Sequence, residues 1–203
     1  MLEDIQGELK ECTFLDSKNK VLLAVSGGVD SVVLLDLMNK IPSSKKPQIA
    51  IAHVNHHLRN ESNSEEKFVK ELAQKYSFPF YSHQWLKKDH PNSGIEKAAR
   101  NERYNFFKTI MDEYKISYLM TGHHLDDQIE TILMRLIRGA SLEQLLGIKF
   151  KQSFSIKEKE GYLIRPLLNY SKKEIYEYAK SHQLNYIEDQ SNKNKEYTRN
   201  RFR

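Results

Sequence analysis

With 203 residues, the chain is long enough to bury one full core, since single domains commonly run to about 100–200 residues. Charged residues make up 29% and hydrophobic residues 39%, and no apolar run approaches the roughly 18 residues that cross a bilayer. A helical membrane protein is thereby excluded and a soluble one expected. The net charge of +5 favours a polyanionic partner. The N-terminal stretch MLEDIQGELKECTF is acidic and amphipathic, unlike a secretory signal, which points to a cytoplasmic location. One cysteine, Cys12, excludes an internal disulfide or a multi-cysteine metal site, and its place in an expected N-terminal helix gives it a structural role.

Taken in chain order, VLLAV (Val21 to Val25) is short, continuously apolar and rich in β-branched residues, as a parallel strand buried on both faces should be. The helical run SVVLLDLMNK follows it directly, and Pro42 to Pro47 makes a turn. Ile49 to His56 is a second such strand, followed by a loop and a helix from about Ser64 to Tyr76. A third strand, Phe78 to Trp85, leads through a polar loop to a helix from Ile95 to Tyr114, and ISYLMTG forms the fourth. From His124 to Arg138 the residues Leu125, Ile129, Ile132, Leu133, Leu136 and Ile137 recur at helical spacing, with Gly139 as the stop. Lys149 to Glu160 reads as a polar connector and Gly161 to Leu168 as a fifth strand; Ser171 then caps a last helix, with Glu174 three residues on. This alternation predicts an α/β domain with an open parallel sheet sandwiched by helices and a ligand crevice at the carboxyl ends of the strands.

Between the first strand and its helix stands SGGVDS, Ser26 to Ser31. Gly27 and Gly28 let the backbone turn sharply and approach a ligand closely, Ser26 and Ser31 offer hydroxyls, and the helix start presents unpaired amides. These features suit phosphate or pyrophosphate. The loop lacks the lysine of a Walker-type sequence and has the wrong spacing for GxGxxG. Asp30 is the expected magnesium ligand, because a carboxylate beside a triphosphate otherwise only repels it.

Three further stretches carry chemistry. HVNHHLR, His53 to Arg59, gathers histidines at the end of the second strand, where adjacent side chains point different ways and suit nucleotide or structural contacts better than zinc. In TGHHLDDQIET, Thr121 to Thr131, Asp127 and Glu130 share a helix face, as do Asp126 and Glu130; acids also favour a helix's first turn for electrostatic reasons alone. IEKAARNERYNFF places Arg100 and Arg103 on one helix face, available to a ligand or to Glu96. Lys193, Lys195, Arg199, Arg201 and Arg203 crowd the C-terminus, as a solvated tail or as phosphate contacts.

In this order, SGGVDS, HVNHHLR, EKAARNERY, TGHHLDDQIET, RGASLEQLLG, RPLL and DQSNKNKEYTRNR resemble the tRNA(Ile)-lysidine synthetase family from about residue 20 to the C-terminus. SGGxDS alone marks the wider N-type ATP-pyrophosphatase group, whereas GHHxDDQxET with the terminal RNR is much more specific. The resemblance implies a PP-loop ATP-binding catalytic domain over 1–203, its core at about 20–190, with 190–203 a basic linker to C-terminal domains that this chain lacks. It implies an ATP-dependent ligase that joins free L-lysine to C2 of the wobble cytidine of a CAU-anticodon tRNA(Ile). The cytidine is first adenylated with release of pyrophosphate, and lysine then displaces AMP.

Carried over residue by residue, the resemblance puts Ser26, Gly27, Gly28, Val29, Asp30, Ser31, His53 and Gly122 at ATP, with Mg2+ on Asp30. It puts Asp127 and Glu130 on lysine, with His123 and Arg103 supporting the adenylate or the lysine carboxylate, and counts Arg100 among the substrate-binding residues. Arg199 and Arg201 fall on the α-phosphate or the tRNA backbone. Asp30, Arg103, His123, Asp127 and Glu130 form the expected catalytic set, and a homodimer is left open. Asn55 and His57 stand where the family usually has aspartate and glycine, and Ala140-Ser141 replaces a more usual Ser/Thr-Gly. The rival readings are a tRNA thiolating enzyme, disfavoured by the single remote cysteine; an ammonia-dependent synthetase, which shares the loop but not the histidine-rich second motif; and a non-catalytic nucleotide- or RNA-binding module.

Overall fold

The computed structural model describes residues 4, 5, 7, 9, 16–58, 62–141, 145–157 and 159–188. Cys12, Arg59, the basic cluster from Lys193 onward and its Arg199 and Arg201 lie outside them. The order of elements is β1 (Lys20–Ala24), α1 (Val29–Asn39), β2 (Gln48–Asn55), α2 (Ser62–Lys75), β3 (Phe80–Gln84), α3 (Ile95–Glu113), β4 (Tyr118–Met120), α4 (Leu125–Ile137), β5 (Lys151–Ile156), β6 (Lys159–Ile164) and α5 (Lys172–Ser181).

The strands form one six-stranded sheet in the order β3-β2-β1-β4-β6-β5. β1, β2, β3, β4 and β6 run parallel, and β5 pairs antiparallel with β6. The expected parallel sheet is present, with one correction: the stretch read as a polar connector contains edge strand β5. Its apolar residues are only Phe154 and Ile156, on alternate positions of KQSFSI, so the strand is polar wherever it meets solvent. Gly161 leaves room for it, because a Cβ there would run into the Ile156 side chain and lie 3.1 Å from Phe154 O.

Strand alternation sorts the core into two layers. Val21, Leu23, Ile49 and Ile51 pack with α1, α2 and α5, while Leu22, Ala50, Ala52 and Leu119 pack with Phe107, Ile110 and Met111 of α3. α1 is apolar almost all round and buried over most of its surface, as expected for a helix covered by sheet and helices together. Ser171 caps α5 as expected, its hydroxyl accepting from Glu174 N at 3.3 Å while the Glu174 carboxylate accepts from Ser171 N at 2.8 Å. Gly139 stops α4 with φ +73°, and Ala140 N bonds back to Arg135 O.

The strand order reverses direction between β1 and β4, so the loops after them flank the crevice where ligands bind in open α/β sheets. SGGVDS follows β1 and TGHHLDDQIET follows β4.

Candidate functional site

The loop after β1 is held by its own serines. Ser31 Oγ lies 3.2 Å from both Ser26 N and Gly27 N, accepting from each, and donates to Gly28 O at 2.9 Å. Gly27 has φ +95°, a conformation that side-chain-bearing residues rarely adopt, so glycine is needed there for the backbone turn, while a Cβ would sit in ordinary contact with Ile187 and Val69 at 3.4 Å. No side chain caps α1 behind Gly28. The first amides of a helix lack intrahelical partners and carry partial positive charge, and here they open toward the crevice. An anion fits this cradle.

Gly122, in the loop after β4, presses on the start of α1: a Cβ there would lie 3.1 Å from the Asp30 carbonyl carbon and 3.2 Å from its oxygen. The two motifs are therefore in backbone contact. His124 stands at the N-cap of α4, with Nε2 3.8 Å from Asp30 Oδ1 and 3.5 Å from Asp127 Oδ2, so one buried imidazole lies between the acid of the first motif and that of the second.

α4 corrects the expectation drawn from its spacing. The apolar positions Ile129, Leu133, Leu136 and Ile137 are exposed, the last at 66%, whereas Asp127 at 7% and Glu130 at 5% are buried. A surface helix normally turns its apolar stripe to the core. This one turns two carboxylates inward, and burial of charge is costly enough to call for a compensating ligand or partner. Asp127 also accepts from His124 N at 3.1 Å, closing a capping box. Asp126 faces elsewhere and binds Lys172 N at the start of α5 at 3.1 Å, which joins the N-termini of α4 and α5. Gln128 brackets the Ile148 backbone with its amide, donating to the carbonyl at 3.2 Å and accepting from the N–H, and so anchors the segment that follows α4.

His123 bonds through Nδ1 to the Thr121 hydroxyl at 2.8 Å. Burial, with positive charge from Arg165, Arg100 and Arg103, outweighs the pull of Asp127 and lowers its pKa to about 4. Arg100 and Arg103 lie over the Tyr104 ring, at 4.8 and 5.7 Å from its centre. His123 is thus within electrostatic reach of Asp127, Arg100 and Arg103.

Between the usual pKa near 6.5 and about 4, the unfolded chain takes up a proton at His123 that the folded chain refuses, so stability falls as pH drops through that window. Allowing for its partial exposure, this amounts to about 1–2 kcal/mol. His123→Gln is expected to remove that share of the acid loss, measured as the difference between urea-unfolding free energies at pH 7 and pH 4.

The histidines of the second motif go to different partners. His53 Nδ1 lies 2.9 Å from Val25 O, which can only accept, so Nδ1 carries the proton and buried Nε2 is left as an acceptor with no hydrogen-bond partner. Burial lowers the His53 pKa, keeping the ring neutral. His56 packs edge-on to Trp85, and burial followed by the charge of Arg103 brings its pKa to about 4. His57 adopts φ +49°, the left-handed region its usual glycine would favour, and Asn55 Oδ1 holds its N–H at 3.0 Å. The buried Asn55 amide donates to Asn63 and to Glu66, each at 3.0 Å. An aspartate could not donate to Glu66, so asparagine suits this loop.

Two site residues escaped the sequence reading. Lys172 Nζ lies 2.6 Å from Asp30 Oδ1. Arg165 is 4% exposed and binds Lys149 O and Gln152 Oε1. A lysine in the first turn of a helix opposes the helix dipole, and that misfit was the available signal for Lys172.

The family model of the PP-loop domain matches residues 1–203. The chain belongs to the PP-loop family. The tRNA(Ile)-lysidine synthase of Lactiplantibacillus plantarum is 40% identical over 147 residues, covering 72% of this chain and 33% of that protein. A protein of the same name from Streptococcus pyogenes serotype M3 is 48% identical over 149 residues, with the same shares. The chain thus spans about a third of the length of these curated relatives. Among solved structures, the U34-tRNA thiolase NcsA from Methanococcus maripaludis, with its [4Fe-4S] cluster, superposes with TM-score 0.73 at 19% identity, over 92% of this chain and 65% of that one. The NH3-dependent NAD synthetase from Campylobacter jejuni gives 0.53 at 16% identity, over 90% and 70%. At these identities the likeness shows the fold.

In this PP-loop domain, Gly122→Ala forces the two motif loops apart. Overpacking of this kind costs roughly 1–3 kcal/mol, and the atoms that must yield are Asp30 backbone rather than a flexible side-chain end. The Kd for ATP is expected to rise by about tenfold with the fold retained, read from ATP titrations and a circular dichroism spectrum.

Proposed function

We propose that this chain is the catalytic domain of a tRNA(Ile)-lysidine synthetase, which uses ATP to couple free L-lysine to C2 of the wobble cytidine of a CAU-anticodon tRNA(Ile). The observation that carries the reading is the inward pair Asp127 and Glu130, buried at the crevice beside His123, His124 and Asp30. Any PP-loop enzyme needs the anion cradle. An amine nucleophile also needs a means of losing its proton.

The ε-ammonium of lysine has a pKa near 10.4, so at neutral pH the nucleophilic form is about one part in 10³, equivalent to roughly 4–5 kcal/mol. Asp127 and Glu130 bind the ammonium and accept its proton. Ser26, Gly27, Gly28, Val29 and Ser31 hold the pyrophosphate end of ATP, and His53 Nε2 and Gly122 lie on the nucleotide. The cytidine O2 attacks the α-phosphorus, the bond to the β-phosphate oxygen breaks, and the loop retains the departing electron pair as pyrophosphate. The lysine amine then adds at C2 and the C2–O bond breaks, releasing AMP. Neutral His123, with Arg100 and Arg103, supports the adenylate or the lysine carboxylate.

Asp30 suits magnesium, which commonly takes one or two carboxylates and completes its shell with substrate phosphates and water. Among the described residues no group of three or more His, Cys, Asp or Glu is placed to hold a metal ion alone. Bound there, the ion would neutralise phosphate charge. Arg199 and Arg201 contact tRNA or the α-phosphate in this reading. No helix of the described residues is long and apolar enough to cross a membrane, and a cytoplasmic location fits a tRNA-modifying enzyme.

The thiolase shares the fold, yet iron–sulfur clusters are held by several cysteine thiolates, and this chain has one cysteine. The deciding experiment incubates the protein with ATP, magnesium, labelled lysine and tRNA(Ile) bearing CAU. Label is expected in the tRNA with equimolar pyrophosphate and AMP; pyrophosphate release that ammonia or a sulfur donor supports and lysine does not would overturn the reading.

A further inference from the structure

We propose that Lys172 is the cation that grips the β- and γ-phosphates of the nucleotide, supplied from α5 to a loop that has no lysine of its own. The inference rests on ATP binding at Ser26–Ser31 and is independent of the acceptor.

Lys172 lies 142 residues along the chain from Asp30, yet its ammonium ends 2.6 Å from the Asp30 carboxylate at the mouth of the loop. Several contacts aim it there. Its backbone N–H is held by Asp126, and its ammonium lies 5.2 Å from the centre of the Tyr176 ring. The Tyr178 hydroxyl bonds Asp36 of α1 at 2.9 Å, and Ile187 N, beyond the helix, donates to Gly27 O at 2.9 Å. The α5 segment thus spans the phosphate loop from Asp30 to Gly27.

The placement is unfavourable on local grounds, since a cation in the first turn of a helix opposes its dipole and a lysine side chain three-quarters buried gives up hydration. Asp30 compensates while the loop carries no anion. A triphosphate brings more negative charge than one carboxylate, and an ammonium has three protons to offer, of which the contact with Asp30 uses one. On nucleotide binding, Lys172 moves to the phosphate oxygens and releases the Asp30 carboxylate. When the α–β bond breaks, the electron pair passes to pyrophosphate, and a cation already on those oxygens stabilises it.

The test compares binding of ATP, inorganic pyrophosphate and AMP to the wild type, Lys172→Met, Lys172→Gln and Lys172→Arg by calorimetry without tRNA. Met and Gln are expected to weaken ATP and pyrophosphate by about 10–100-fold and leave AMP within about twofold, with Arg recovering most of the loss. Parallel weakening of all three ligands, or no weakening of ATP and pyrophosphate, overturns the proposal, and two neutral variants keep the comparison available if one fails to fold. If the contrast holds while no lysine enters tRNA, the acceptor reading fails and this one stands.

Discussion

Replacing Asp127 with asparagine is expected to lower kcat/KM for lysine by roughly 10²–10³-fold, while tRNA-dependent pyrophosphate release falls far less. Breaking a buried charge pair by neutralising one partner costs about 3–5 kcal/mol, and each 1.36 kcal/mol is a factor of about ten. Asparagine keeps an oxygen that can accept from His124 N, the bond Asp127 makes at 3.1 Å, so loss of the helix cap is kept to about 1 kcal/mol or less. Glu130→Gln should follow the same pattern from the next turn of α4. Separate assays for pyrophosphate release and for lysine transfer at limiting lysine distinguish the half-reactions. Equal loss in both, or wild-type transfer, would remove these acids from the lysine step.

Most of the frame was legible because it rests on local rules. Val21 to Val25 read as a buried parallel strand, and its core residues are fully buried. SGGVDS announced a turn into a helix, and Ser171 with Glu174 announced a cap, because each motif satisfies its backbone within six residues. Helix and strand ends moved by a few residues, as with the strand read from Phe78 and found from Phe80.

What escaped depends on contacts between distant segments. Periodicity in α4 identified an amphipathic helix correctly, but amphipathicity alone does not say which face the sheet takes. Here the inward face carries Asp127 and Glu130, and Ile129, Leu133, Leu136 and Ile137 face out. β5 escaped because an edge strand bonds on one side and tolerates polar residues, so KQSFSI resembles a loop. Lys172 meets Asp30 only when α5 folds back across α1. Gly122 reads in sequence as part of a motif, whereas its need to be glycine comes from Asp30 at 3.1 Å.

The largest stability effect is expected at Asp36, away from the crevice. This carboxylate is 5% exposed in the middle of α1. It pairs with Lys40 at 2.8 Å and accepts from the hydroxyls of Tyr178 at 2.9 Å and Tyr76 at 3.3 Å. Burial and the adjacent carboxylate raise both phenols, Tyr76 to about 12, so each stays protonated and donating. Asp36→Ala leaves two phenols and an ammonium facing a gap that one acid had served. Removing one partner of a buried charged network costs about 3–5 kcal/mol, a large fraction of the about 5–15 kcal/mol that a domain has in all. Asp36→Asn retains an acceptor and should lose about 1–2 kcal/mol; Lys40→Met, at a side chain 34% exposed, should lose about 1 kcal/mol or less. Urea unfolding measures all three. Because Tyr178 belongs to α5 and Tyr76 directly follows α2, the same network holds Lys172 and the Val69 side of Gly27 in place. Asp36→Asn should therefore raise the KM for ATP several-fold in protein that is still folded; an unchanged KM with the stability loss intact would separate the network from the phosphate loop.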